Sequence, residues 1–345
     1  MLKTSVVKKN FLIIYIIVIL SACEQSANKK AKFFYKANTH LKAKEYKRAI
    51  KYFSEAIKVD SNFVDAYNNR GVAYYELSKY KEALQDYARV LTLDSNFIDT
   101  YYNRTNLNMA LGNWAECLSD MKVASELQPD SVAAYFNLGL IYTTTKKYDL
   151  ALLAFDKALK IDGNNADLYV NRGTVNYFLR DLAAAKTAVK RAISINENHA
   201  LAHNLMGLIL TKEGKYMEAD KFYEKALSTD KSNAYIINNR GYNFLKMSQL
   251  EKGLNSINLS ITLNHVNPWA YRNKGVYYLK TAHSKEAIRL LEKAFGMDST
   301  VALLNYYLGA AYHQNNEKEK ACLFLNYSIE LGEKEGQTLF NDICN

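Results

Sequence analysis

The chain has 345 residues, 49% of them hydrophobic, with 27 tyrosines, 14 glycines and only two prolines. Proline and glycine each weaken a helix interior by roughly 1 to 3 kcal/mol, so their scarcity favours helices, and the composition excludes a disordered or disulfide-dense chain. The formal charge of +10 falls to about +7 without Lys3, Lys8 and Lys9; that mild excess fits a lysine-rich solvated surface, an acidic partner or an anionic envelope surface, and no nucleic-acid motif accompanies it.

Residues 1–22 read as an export signal. The three lysines precede an apolar run, FLIIYIIVIL, at residues 11–20. This is short of the ~20 residues a membrane span needs, and it suits the core of a signal peptide. The run ends in Leu20-Ser21-Ala22-Cys23, which resembles the lipobox of bacterial lipoproteins. The resemblance implies cleavage between Ala22 and Cys23 and acylation of Cys23. Several acyl chains anchor stably, at about 0.8 kcal/mol per buried methylene. Residues 23–29 then form a short polar tether, and the protein is expected in the cell envelope as a membrane-anchored lipoprotein, at the outer membrane where there are two.

From Lys30 a 34-residue period runs without insertion or deletion through nine units: 30–63, 64–97, 98–131, 132–165, 166–199, 200–233, 234–267, 268–301 and 302–335. Each reads as two amphipathic helices. Position 8 is Gly in seven units, position 20 is Ala in seven and position 27 is Ala in six. Bulky residues fill positions 4, 11, 17 and 24, as Tyr67, Tyr74, Tyr80 and Tyr87 do in the second unit. Small residues on one helix admit large ones from the other, the requirement for a close-packed hairpin.

Period and pattern together resemble the tetratricopeptide repeat family. The resemblance implies an all-α fold, a right-handed superhelical solenoid of nine helix-turn-helix repeats. A short C-terminal cap is expected over 336–345, where Leu339, Phe340 and Ile343 recur at helical spacing. Three departures stand out. Position 32, often Pro in the family, is Pro only at Pro129, which predicts a softer stop between units. The seventh unit has Gly253 at position 20, and the ninth has Asn305 and Lys318 at usually aromatic positions, so packing is expected to be less regular there.

Arg stands at position 7 in Arg70, Arg104, Arg172 and Arg240, and Asp at position 23 of two of the same units, Asp86 and Asp120. Arg70–Asp86 and Arg104–Asp120 are therefore expected to pair across their own hairpins. Arg172 and Arg240 face Ala188 and Ser256 and need partners elsewhere.

Nine units, a signal and a tail leave no residues for a catalytic domain, and an enzyme is not expected. His199 and His203 have the i, i+4 spacing of zinc ligands, but Ala200-Leu201-Ala202 between them lacks the Glu of a metalloprotease helix. Both read as structural, and no metal or cofactor is implied. Cys117 replaces a small core Ala. Cys322 and Cys344 can meet if the tail folds back, and an oxidising compartment would permit a disulfide; the sequence leaves this open.

In the family the first helix of each unit lines the concave face. Position 6 there is Asn in six units: Asn69, Asn103, Asn137, Asn171, Asn239 and Asn273. Such a row resembles the asparagine ladder of peptide-binding members, whose amides donate to and accept from an extended backbone. Plain solvation of a common residue explains it equally. Phe34, Tyr102 and Phe136 at position 5, with Tyr235 and Trp269 at position 2, are aromatics the core pattern does not demand, and exposed aromatics anchor partners well. The resemblance implies a scaffold or adaptor for protein or peptide partners in the cell envelope. A cell-wall or carbohydrate-binding module is the alternative.

Overall fold

The computed structural model describes residues 27–344, so the expected signal segment, the Ala22–Cys23 cleavage site and most of the tether lie outside the described residues. Among the described residues all regular structure is helical, and they divide into two compact units, residues 27–161 and 162–344. The first holds α1 (27–42), α2 (Tyr46–Val59), α3 (Val64–Glu76), α4 (Tyr80–Leu93), α5 (Ile98–Leu111), α6 (Trp114–Leu127), α7 (Val132–Thr144) and α8 (Tyr148–Ile161). The second holds α9 (Ala166–Phe178), α10 (Leu182–Ile195), α11 (Ala200–Lys212), α12 (Tyr216–Thr229), α13 (Ala234–Lys246), α14 (Leu250–Leu263), α15 (Pro268–Lys280), α16 (Ser284–Met297), α17 (Leu304–Gln314), α18 (Lys318–Glu330) and α19 (Lys334–Ile343). Each odd-numbered helix from α3 to α17 packs against the next to make a hairpin, and Phe34 of α1 packs on Phe53 of α2, as in a tetratricopeptide solenoid.

Two expected boundaries move. Residues 27–29, read as tether, are already helical, because Ala27, Asn28 and Lys29 contain no Pro or Gly to halt α1. The C-terminal cap α19 starts at Lys334 rather than 336, and a Cys322–Cys344 disulfide ties it to α18.

The hairpin turns share one device. Position 15 adopts a left-handed backbone in all nine repeats, at Lys44, Ser78, Gly112, Lys146, Arg180, Gly214, Ser248, Ala282 and Asn316. The next amide then reaches back to the carbonyl five residues earlier, as Lys79 does to Tyr74 at 2.9 Å and Asp181 to Asn176 at 2.9 Å. This closes the exposed carbonyls of the first helix. Only two of the nine are Gly, so the other side chains bear a cost of roughly 1 kcal/mol each.

A second device joins repeat to repeat. At position 31 an Asp or Asn side chain accepts from the amide two residues on: Asp60 from Asn62, Asp94 from Asn96, Asp162 from Asn164, Asn196 from Asn198, Asn264 from Val266 and Asp298 from Thr300, at 2.8–3.1 Å. These side-chain turns replace the missing prolines. Where position 31 is instead Gln128, the proline is present as Pro129. The stop between units is therefore built, not softened.

The core follows the small-against-large pattern. The position-20 alanines, Cys117 and the position-27 alanines are fully buried, and so are Phe53, Tyr87, Phe155 and Tyr223 at position 24. A Cβ on Gly139 would stand 2.5 Å from the Phe155 ring. In the seventh repeat Leu245 fills the space beside Gly253, where a Cβ would meet it at 2.5 Å. The ninth repeat is irregular as expected: Leu303 is left-handed and α17 begins only at Leu304.

Both expected ion pairs are bidentate. Arg70 donates to Asp86 at 2.8 and 2.7 Å, and Arg104 to Asp120 at 2.9 and 2.6 Å. Arg240 reaches back one repeat to Asp220, at 2.7 and 3.3 Å.

Candidate functional site

Within each unit neighbouring first helices touch one another: α3 meets α5, and α9, α11, α13, α15 and α17 meet in succession. Among the described residues no two second helices do so. Helices that touch their counterparts lie on the inner side of the curve, so the first helices form the inner face of each unit.

The asparagine row on this face divides into two chemical kinds. Asn103 donates to Asn68 at 3.0 Å, Asn239 to Asn204 at 3.0 Å and Asn273 to Asn238 at 2.9 Å. Each bond links position 6 of one repeat to position 5 of the repeat before it. Asn69 does the same job with Asn38, at 3.0 Å. These amides clasp successive repeats. Asn273 is only 1% exposed and also accepts from Arg272, so the expectation that it faces a partner is corrected: its hydrogen bonds are satisfied inside the fold.

Asn137 and Asn171 differ because the preceding position 5 is aromatic, Tyr102 and Phe136. With no amide to clasp, each donates to a backbone carbonyl one turn back, Ala133 at 2.9 Å and Asp167 at 2.8 Å. Their amide oxygens accept no hydrogen bond among the described residues and are open to a ligand's N–H. The rule was readable in the sequence: Asn at position 5 followed by Asn at position 6 of the next unit marks a clasp.

The aromatics also separate. Tyr102 hydrogen-bonds Ser131 at 2.8 Å and Phe136 packs edge-on against Phe155, so both are half-buried parts of the packing. Phe34 packs on Phe53 and Phe63. Tyr235 and Trp269 are 50% and 38% exposed and stand edge to face, with ring centres 6.3 Å apart. Asn264 approaches the Tyr235 hydroxyl at 3.4 Å, and Val266 beside it in the sequence is exposed. A paired, solvent-facing aromatic surface on α13 and α15 can bury apolar side chains or stack on a planar group.

The histidines are held apart. His199 accepts from the Ala202 amide at 3.3 Å as the cap of α11 and contacts Asp167 at 3.0 Å. His203 is buried and contacts the Glu197 carbonyl at 2.7 Å. Among the described residues no group of three His, Cys, Asp or Glu side chains is placed to hold a metal ion. Cys117 is buried, and burial pushes its thiol up to about 11.

Tetratricopeptide repeat models match residues 64–97 and 132–165, and 166–199 and 200–233, and a TPR repeat model matches 37–78. No curated protein matches the sequence. Among solved structures, the chain is similar in fold to one in the APC/C hetero-tetramer Cut9-Hcn1, with 14% identity, 81% of this chain and 55% of that chain covered, and a TM-score of 0.60. It is similar also to the human IFIT1 dimer with m7Gppp-AAAA, with 16% identity, 77% and 68% covered, and a TM-score of 0.56. The chain thus spans about half the length of the first of these.

Proposed function

The chain is a tetratricopeptide repeat protein, and on that premise we propose that it is a lipid-anchored scaffold of the cell envelope. Its first-helix faces hold a protein or peptide partner. The observation that carries this reading is the Tyr235–Trp269 pair, two large aromatics left in water on adjacent first helices in a chain that buries its position-24 rings completely. Surface aromatics of this kind form the energetic centre of protein interfaces. The open amide oxygens of Asn137 and Asn171 add acceptors for a partner's backbone.

The signal segment and Cys23 support the anchor, and the Cys322–Cys344 disulfide supports an oxidising compartment outside the cytosol. Two tests bear on these parts separately. Metabolic labelling with a palmitate analogue is expected to mark the wild type and not Cys23→Ser; equal labelling would remove the anchor. Crosslinking capture from the protein's own cells is expected to recover a protein that a Tyr235→Ala, Trp269→Ala double variant loses. Equal capture by both would place binding elsewhere. The exposed ring pair also suits a sugar face, so co-sedimentation with purified wall polymer, with no protein present, would favour the carbohydrate-binding reading instead.

A further inference from the structure

Repeats five to nine fold back on themselves. Arg180, in the turn between α9 and α10, donates to the Gly332 carbonyl at 3.3 Å although the two are 152 residues apart. Lys212 at the end of α11 lies 3.9 Å from Glu335 on α19. These contacts border a half-open cavity of about 570 Å³. Its wall carries four cations, Arg180, Lys212, Lys246 and Arg272, and two carboxylates, Glu333 and Glu335. Glu333 is occupied by the Leu303 amide and the Ser328 hydroxyl, and Glu335 faces Lys212. Neither forms an ion pair with Arg272 or Lys246, although Glu333 and Arg272 bind adjoining backbone groups, the Leu303 amide and the Ala302 carbonyl.

Arg272 is 9% exposed, and its guanidinium meets only neutral groups. Nη1 donates to the Ala302 carbonyl at 2.6 Å, while Nε and Nη2 donate to Asn273 Oδ1 at 3.0 and 2.7 Å. It lies 5.3 Å from the centre of the Tyr242 ring, and Lys246 Nζ lies 5.4 Å from the same centre. The Tyr242 hydroxyl is 3.0 Å from that of Tyr307. Burial would push the Tyr242 phenol up, but the charges of Arg272 and Lys246, together with hydrogen bonds from Tyr307 and Lys246, hold the group below its ordinary value. Two cations thus share one aromatic ring in a partly water-excluded space, where like charges repel more strongly than in bulk water. An anion entering the cavity is attracted by both.

We propose that this cavity is an anion-recognition site that takes the carboxylate side chains of an acidic, extended polypeptide segment. An extended ligand fits better than a point anion. A second cavity of about 330 Å³ shares Lys246, Leu303 and Glu335 with the first and adds Lys280, so the cationic wall continues along the face. The apolar flanks of Tyr177 and Tyr242 suit the methylene stems of such side chains. The assignment of a peptide rests on the scaffold reading above; the anion preference rests on the cations alone.

The test is fluorescence anisotropy of the full chain in detergent with labelled hexaglutamate, and with labelled hexaglutamine as the neutral control. Hexaglutamate is expected to bind at least ~10-fold more tightly, and more weakly as salt rises, since the attraction is electrostatic. Lys246→Glu, at an exposed position, is expected to reduce binding ~10-fold or more while leaving the helical melting curve unchanged; Arg272→Met is expected to do the same if it remains folded. Equal binding of the two peptides, or full binding by Lys246→Glu, would overturn the proposal. Complete competition by millimolar inorganic phosphate would overturn the peptide assignment in favour of a point-anion site. If partner capture through Tyr235 and Trp269 persists without hexaglutamate binding, this site fails and the scaffold stands. If hexaglutamate binds and no partner is captured, the scaffold reading fails and the anion site stands.

Discussion

Arg104 and Asp120 offer a sharp test of how the hairpins are held. Two parallel hydrogen bonds, at 2.9 and 2.6 Å, join them across one repeat. Their environments are unequal: the Asp120 side chain is 3% exposed and that of Arg104 is 27%. Arg104→Met strands a carboxylate that water cannot reach, and breaking a buried pair this way costs about 3–5 kcal/mol. Asp120→Leu strands a guanidinium that is partly in water and lies over the Tyr101 ring at 5.9 Å, so the loss is smaller, about 1–3 kcal/mol. Changing both residues removes the charges and fills the space, which brings stability back to within about 1 kcal/mol of wild type. The assay is urea unfolding followed by circular dichroism, with hydrogen exchange of α5 and α6 because stability in repeat arrays is partly local. The expected order of damage is Arg104→Met, then Asp120→Leu, then the double variant. Equal single variants, or a double variant as damaged as their sum, would refute the reasoning.

Further outcomes follow from the packing and the turns. Gly139→Ala places a methyl 2.5 Å from the Phe155 ring and should lose up to about 2 kcal/mol net, whereas Gly173→Ala, whose nearest contacts are 3.3 Å away, should be neutral or stabilising by up to about 1 kcal/mol; thermal melts distinguish them. Ala282→Gly relieves a left-handed alanine at φ 61° and should raise stability by up to about 1 kcal/mol, while Gly112→Ala, with nothing within 4 Å but φ 75°, should lose a similar amount in the same melts. Hydrogen bonds from Lys215 and Lys186 hold the Glu213 carboxyl below its ordinary value of 4.5. The stabilisation is therefore complete at neutral pH and is lost as the pH falls below 4.5 through the depressed folded value. Glu213→Gln should cost a few tenths of a kcal/mol at pH 7, and its melting temperature should meet the wild type's in acid.

Much of this molecule is legible in one sequence because each repeat restates the same packing problem. The small residues at positions 8, 20 and 27 identify the helix contacts, and comparison between repeats finds Arg104–Asp120 before any coordinates do. The left-handed turn residue at position 15 was hidden because seven of its nine occupants are not Gly, and side-chain identity alone does not report a positive φ. The Asp and Asn turns at position 31 are not legible in the sequence because these residues are common in any polar loop, and their side-chain hydrogen bonds to the amide two residues on appear only in the fold. The asparagine row misled for a physical reason. A surface periodicity does not say whether an amide faces solvent or the next repeat, and Asn273 does the latter. Arg272 and Lys246 stand 26 residues apart and belong to no repeated pattern, so only the fold brings both to Tyr242.

The central claim is that the first-helix face is where a partner sits, and site-specific photocrosslinking in living cells tests it most directly. A photoreactive residue replacing Trp269 on α15 is compared with one replacing the exposed Glu224 on the second helix α12. A discrete protein adduct from position 269 and none from 224 is the expected result. Adducts from 224 alone, or equally from both, would contradict the account.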